Sequence, residues 1–149
     1  MEKILVSKNA QEEESILAFV KTEEQLREVI ASQVDGLIVI DGQVEILSGK
    51  GIELCDEQSL VGLNYVGREG ESELFFHHCQ QFCLLKPAEN SIIADLKIRA
   101  QIEACSGKDA LIVAKGKQEI KLRNLTFAIS GEKHDAFEDV SLVYLDALS

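Results

Sequence analysis

Between Leu37 and Leu47 the chain alternates. Ile38, Ile40, Val44 and Ile46 fall on one face, with Asp41, Gln43 and Glu45 on the other. That period of two is the mark of a half-buried strand. The alternation is cleanest over residues 92–104. Every even position there (Ile92, Ala94, Leu96, Ile98, Ala100, Ile102, Ala104) is apolar, and Asp95, Lys97, Arg99, Gln101 and Glu103 are polar. An ordinary strand has about 5–6 residues, so this stretch predicts one long strand, or two strands joined by a bend that keeps the phase. Further on, Ile120 and Leu122 are even while Leu125, Phe127 and Ile129 are odd. The phase flip at Asn124 predicts a corner or bulge. Helical spacing is convincing only near the N-terminus. Thr22-Glu23-Glu24-Gln25 fits a capping box, and Leu26, Val29 and Ile30 follow at helical intervals. A short amphipathic helix is predicted over 23–31. Residues 16–20 read either as a strand or as the end of a helix starting near Ala10.

Segments of β character begin near residues 37, 52, 74, 92, 111 and 137, a mean step of 20 residues. Turn chemistry separates them at Gly49-Lys-Gly51, 67–70, Lys86-Pro87, Ser106-Gly107 and Gly131. No Asn-Gly hairpin signal sits between strands. The pattern predicts an all-β fold, a short right-handed parallel β-helix (a solenoid) with an N-terminal capping helix. Residues 1–20 are set apart as an N-terminal extension, and 21–149 form a single domain.

Composition narrows the partners. The 149 residues include 26 acidic and 15 basic side chains, a net charge of -11. Nucleic-acid binding, which needs a basic face, is not expected. Neither a secretory signal nor an apolar stretch of about 18 residues is present, so the expectation is a cytoplasmic protein without a membrane span. Export that needs no N-terminal signal stays open. Cys55, Cys79, Cys83 and Cys105 are read as reduced, because four cysteines in a chain of this size do not make a disulfide scaffold.

Three segments carry a resemblance to the pectate-lyase-like right-handed parallel β-helix superfamily. They are "KTEEQLREVIASQVDGLIVIDGQVEI", "IELCDEQSLVGL" and "IKLRNLTFAISG", with "IIADLKIRA" as a weaker echo. The likeness runs from about Lys21 to Gly131. It implies a coiled fold and, as one function, a carbohydrate-active lyase or a carbohydrate-binding remnant. In that family, a basic residue on the outer sheet face acts at the proton α to a sugar carboxylate. The chain lacks the compact acidic calcium cluster those enzymes carry. The leading expectation is therefore a non-catalytic protein-interaction or scaffold module, part of a larger surface, effector or assembly protein, with carbohydrate binding or cleavage as the alternative.

The candidate residues follow. Lys97 and Arg99, expected to stand beside Lys121 and Arg123, form the most basic patch of an acidic chain and the candidate binding surface for an acidic ligand. Val140, Leu142 and Tyr144 continue strand-like apolar sequence almost to Ser149 and are the candidate interface for a homodimer or a protein partner. His77, His78, Cys79 and Cys83 are the one cluster of metal-ligand side chains. They lack a second paired knuckle, so neither a metal, a cofactor nor a catalytic residue is assigned. His134 reads as a solvated loop residue.

Overall fold

The computed structural model describes residues 4–9, 12–79, 84–102, 110–115, 119–131 and 141–146. The chain opens with β1 (Ile4–Asn9) and β2 (Glu12–Val20), then α1 (Glu23–Ala31), β3 (Gly36–Ile40) and β4 (Gly42–Ile46). It continues with β5 (Ile52–Glu53), β6 (Gln58–Gly62), a 3-10 turn over Leu63–Val66 and β7 (Ser72–Cys79). The remaining strands are β8 (Leu85–Lys86), β9 (Ile92–Ile102), β10 (Ala110–Lys115), β11 (Lys121–Gly131) and β12 (Ser141–Asp146). They form an eight-stranded sheet, β1-β2-β3-β6-β9-β7-β4 with β11 also on β9, and a four-stranded sheet, β12-β10-β8-β5. Among the described ladders, β1 with β2 is antiparallel and the others are parallel.

This topology corrects the expected right-handed parallel β-helix. A solenoid turn must close on itself and hand one strand to each of its sheets. Here β3 and β4, neighbours in the chain, lie on two arms of the same sheet that merge on β9. Among the described residues no closed turn forms, and the chain is best described as mostly β with one helix. The 20-residue step is the spacing of strands that pair in parallel, a requirement that long connections also meet.

The reason lies in β9. Its first part pairs with β6 (Leu60↔Ile93, Val61↔Ala94) and its second with β7 (Glu73↔Lys97 to Cys79↔Ile102). Between them Asp95 takes φ 56°, a left-handed kink. The expected bend is therefore present, but it does not keep the phase. Ile93 joins Leu96, Ile98 and Ala100 in the main core, while Ile92 and Ala94 turn to a second apolar cluster with Leu37, Val39, Val61 and Tyr65. The corner predicted at Asn124 is there, at φ 50°. Its Nδ2 donates to Asp95 Oδ1 at 3.0 Å, so the two corners are tied side by side. Asp and Asn suit this role because a short polar side chain eases the left-handed region.

The helix spans the predicted residues. Thr22 Oγ1 accepts the Gln25 N–H at 3.1 Å, and Gln25 Oε1 accepts the Lys21 N–H at 2.8 Å, one residue before the usual capping-box donor. Leu26 and Val29 face the core. The opposite flank is bolted to the 47–51 loop. Glu23 accepts from the N–H of Leu47 and Ser48, from Ser48 Oγ and from Arg27 Nε. Arg27 reaches on to the carbonyls of Lys50 and Gly51. Burial pushes the Glu23 carboxyl up, but these hydrogen bonds together outweigh it and hold the group below its ordinary value of 4.5.

On the turns before the strands, acids stack. Gly36 pairs with Gln58, which puts Asp35 beside Glu57, and Glu57 N–H bonds the Glu89 carbonyl at 2.7 Å. The hydrogen bond and charge of Asp35, then slight desolvation, then Asp56 and Glu89, hold the Glu57 carboxyl above 4.5. A raised folded-state value means that the group supports the fold below its unfolded value. That support is lost as pH rises through the folded value. Glu57→Gln is therefore expected to raise Tm at pH 7.5, and the gain should fade as pH approaches 4. A thermal melt series across that range checks it, and an unchanged difference at both ends refutes it.

Candidate functional site

The sheet formed by β4, β7, β9 and β11 turns one face outward. Register aligns Gln43, Glu73, Lys97 and Thr126 in one row across it, and Glu45, Phe75, Arg99 and Ala128 in the next. Alternation on each strand brings these residues to one face, because their neighbours Val44, Leu74, Ile98 and Phe127 point into the core.

Glu73 is the anchor of this face. It is only 7% exposed. Gln43 Nε2 donates to its Oε2 at 3.1 Å. Arg99 Nε lies 2.9 Å from Oε1, but without hydrogen-bond alignment, so the pair is a charge contact. The Arg99 guanidinium also sits 5.2 Å from the centre of the Phe75 ring, within cation–π range. His77 stacks on Phe75 at 4.0 Å and 15°, and its Nε2 lies 3.3 Å from Glu45 Oε1.

Beside this ladder runs a groove of about 580 Å³. The 64–73 segment forms one wall, with Asn64, Glu71, Ser72 and Glu73, and Asp95, Lys97, Arg99, Asn124 and Thr126 form the other. Ser72 pins the first wall. Its hydroxyl donates to the Ile40 carbonyl at 2.6 Å and accepts the Leu63 N–H at 2.8 Å. The Asp95–Asn124 corner fixes the second.

The four candidate cations divide. Lys97 and Arg99 line the groove. Lys121 and Arg123 do not stand beside them. They pair with Ile92 and Ala94, before the Asn124 corner, and Thr126 and Ala128 take the places opposite Lys97 and Arg99. The kink that makes the corner is what separates the two pairs. Of the candidate interface, Leu142 and Tyr144 lie on β12, the end strand of the four-stranded sheet, and Val140 lies outside the described residues.

Cys55 is free and half-buried, with Sγ 3.5 Å from the Ile30 carbonyl. His78 and Cys79 lie on β7, and Cys83, Cys105 and His134 fall outside the described residues. Among the described residues no three His, Cys, Asp or Glu side chains are placed to hold a metal, and no helix is long and apolar enough to cross a membrane. Sequence reading found Lys97 and Arg99 as a polar row. It missed Glu73 and Ser72, whose partners Gln43 and Ile40 lie about thirty residues away in the chain and leave no local signal.

No protein-family model matches the chain, and neither does any curated protein or solved structure compared with it. None of these comparisons bears on the resemblance to the pectate-lyase-like superfamily.

Proposed function

We propose that the chain is a non-catalytic protein-interaction or scaffold module, and that it docks through the end of its two sheets. One observation carries this reading. Leu122, Leu125 and Phe127 of β11 are only half-buried, whereas Ile93, Leu96 and Ile98, their partners one strand further in, are 0–2% exposed. Among the described residues nothing pairs with the outer edge of β11 or of β12. A core row left half-covered beside an open backbone edge is a template for strand addition. The chain's own end strands, or those of a protein partner, have the chemistry to continue both sheets.

Light scattering coupled to size exclusion tests the reading, with hydrogen exchange across 121–128 as a second readout. The expected result is a dimer whose β11 amides gain protection as concentration rises, and which Leu142→Asp or Tyr144→Asp returns to monomer with the fold kept. A monomer at all concentrations, with β11 exchange unchanged in native extract, sinks it.

A further inference from the structure

The groove beside β9 holds charges of both signs, and some remain unspent. Among the described residues, Lys97 makes no ion pair. Arg99 uses its Nε on Glu73 and is 38% exposed at the side chain. Glu73 is more than nine-tenths buried and is spent on the protein, its Oε2 on Gln43 and its Oε1 on the Arg99 charge contact, so it holds Arg99 in place. Glu71 and Asp95 add two more carboxylates along the same walls.

We propose that this groove recognises a zwitterionic amino-carboxylate of about dipeptide size. The carboxylate sits against Lys97, the outer guanidinium nitrogens of Arg99 and the Thr126 hydroxyl. The ammonium sits against Asp95 and Glu71. A simple anion would meet the carboxylates of Asp95 and Glu71, and a simple cation would meet Lys97 and Arg99. A ligand carrying both charges is attracted at each end. Lys97 and Thr126 are direct cross-strand partners, and Asp95 precedes Lys97 by two residues on β9, so the opposite charges stand side by side along one strand. Such spacing, about 6–7 Å for two residues along a strand, suits groups separated by a few bonds. The walls are also set in advance, by Gln43 on Glu73, by the Ser72 bonds and by the Asp95–Asn124 corner, which lowers the cost of ordering a ligand. The volume of about 580 Å³ falls within the range of small-ligand sites. This inference is independent of the docking end proposed above.

The test is an amide-resolved NMR titration of the whole chain with three probes: the dipeptide Ala-Gln, its N-acetyl form and its C-terminal amide. The expected result is that the zwitterion shifts the amides of Asn64, Lys97, Asn124 and Thr126. Each capped form should bind at least about tenfold more weakly, the worth of one charge-assisted contact. Lys97→Met and Lys97→Gln, changes at a side chain with no partner to lose, should abolish the shifts while spectral dispersion is kept. Equal binding by a capped form overturns the zwitterion assignment. The absence of shifts with all three probes, or shifts that persist in both Lys97 variants, overturns the site.

Discussion

Gly62→Ala should be among the most damaging single changes in the chain. A Cβ at Gly62 would lie 1.9 Å from the Asp95 carbonyl oxygen and 2.9 Å from Ser72 Cβ. The first obstacle is backbone, held at the β9 kink, and cannot swing aside as a side chain would. Relief requires β6 and β9 to part where Leu60 and Val61 pair with Ile93 and Ala94, inside the core. Overpacking in a core costs about 1–3 kcal/mol and more when the obstacle is rigid. We expect about 3 kcal/mol or more, and a Tm lowered by roughly 6–12 °C for a chain of this length. Gly67→Ala is the control. Gly67 has φ 77°, yet nothing lies within 4 Å of its added Cβ. Its cost should be the left-handed strain alone, about 1–2 kcal/mol. Thermal melts of the two variants side by side decide the matter. A Gly67→Ala loss as large as that of Gly62→Ala would show that conformation, rather than space, governs the β6–β9 junction.

Gln58→Leu should cost nearly as much. Gln58 has no exposed surface. Its Nε2 lies 3.2 Å from the carbonyls of Ile30 and Val34, and its Oε1 accepts the Cys55 N–H at 2.9 Å. One side chain thus closes the last turn of α1 onto the start of β6. Ile30 keeps a second donor in the Gln33 N–H. Val34 and Cys55 lose this partner. At about 1–3 kcal/mol for each buried group left unpaired, the expected loss is about 3 kcal/mol. Gln58→Glu sharpens the test. A carboxylate would face carbonyl oxygens, so its pKa should rise, and the variant should be less stable than Gln58→Leu at pH 7. As pH falls and the group protonates, it regains a donor, and the gap should narrow. Denaturant melts of both variants at pH 7 and pH 5 read this out. A gap that widens toward pH 5 refutes the assigned geometry.

Local chemistry was readable where it was self-contained. The helix over 23–31 announces itself because Thr22 and Gln25 sit within one turn of each other. Ile38, Ile40, Val44 and Ile46 were read as one face, and all four are fully buried. Asn124 was readable because its neighbours change parity. Asp95 was not, because its kink hides inside a perfect even-position pattern. Ile92 and Ala94 keep the parity of Leu96 and Ile98 yet face another cluster. Both faces of the first half of β9 are covered, so apolar residues there carry no directional information. Architecture was lost at the same point. A regular spacing of strands does not say whether each turn closes or whether two arms share one strand. The buried polar residues Gln58, Ser59 and Ser72 carried no signal for a related reason. Each has a partner far along the chain, Gln58 at 24–29 residues, Ser72 at 32 and Ser59 at 33.

The sharing of β9 also sets an order of assembly during synthesis. Neither β6 nor β7 has its β9 partner until residues 92–102 have left the ribosome, so both arms of the larger sheet wait for the same segment. Until then β6 and β7 present unpaired edges for a parallel pairing, the kind that forms slowly. Once β9 arrives it serves both arms at once, and the register of one constrains the other through Asp95. The nascent chain should therefore acquire protease resistance in one late step rather than arm by arm. The interval before that step is when its strand edges most need a chaperone's cover.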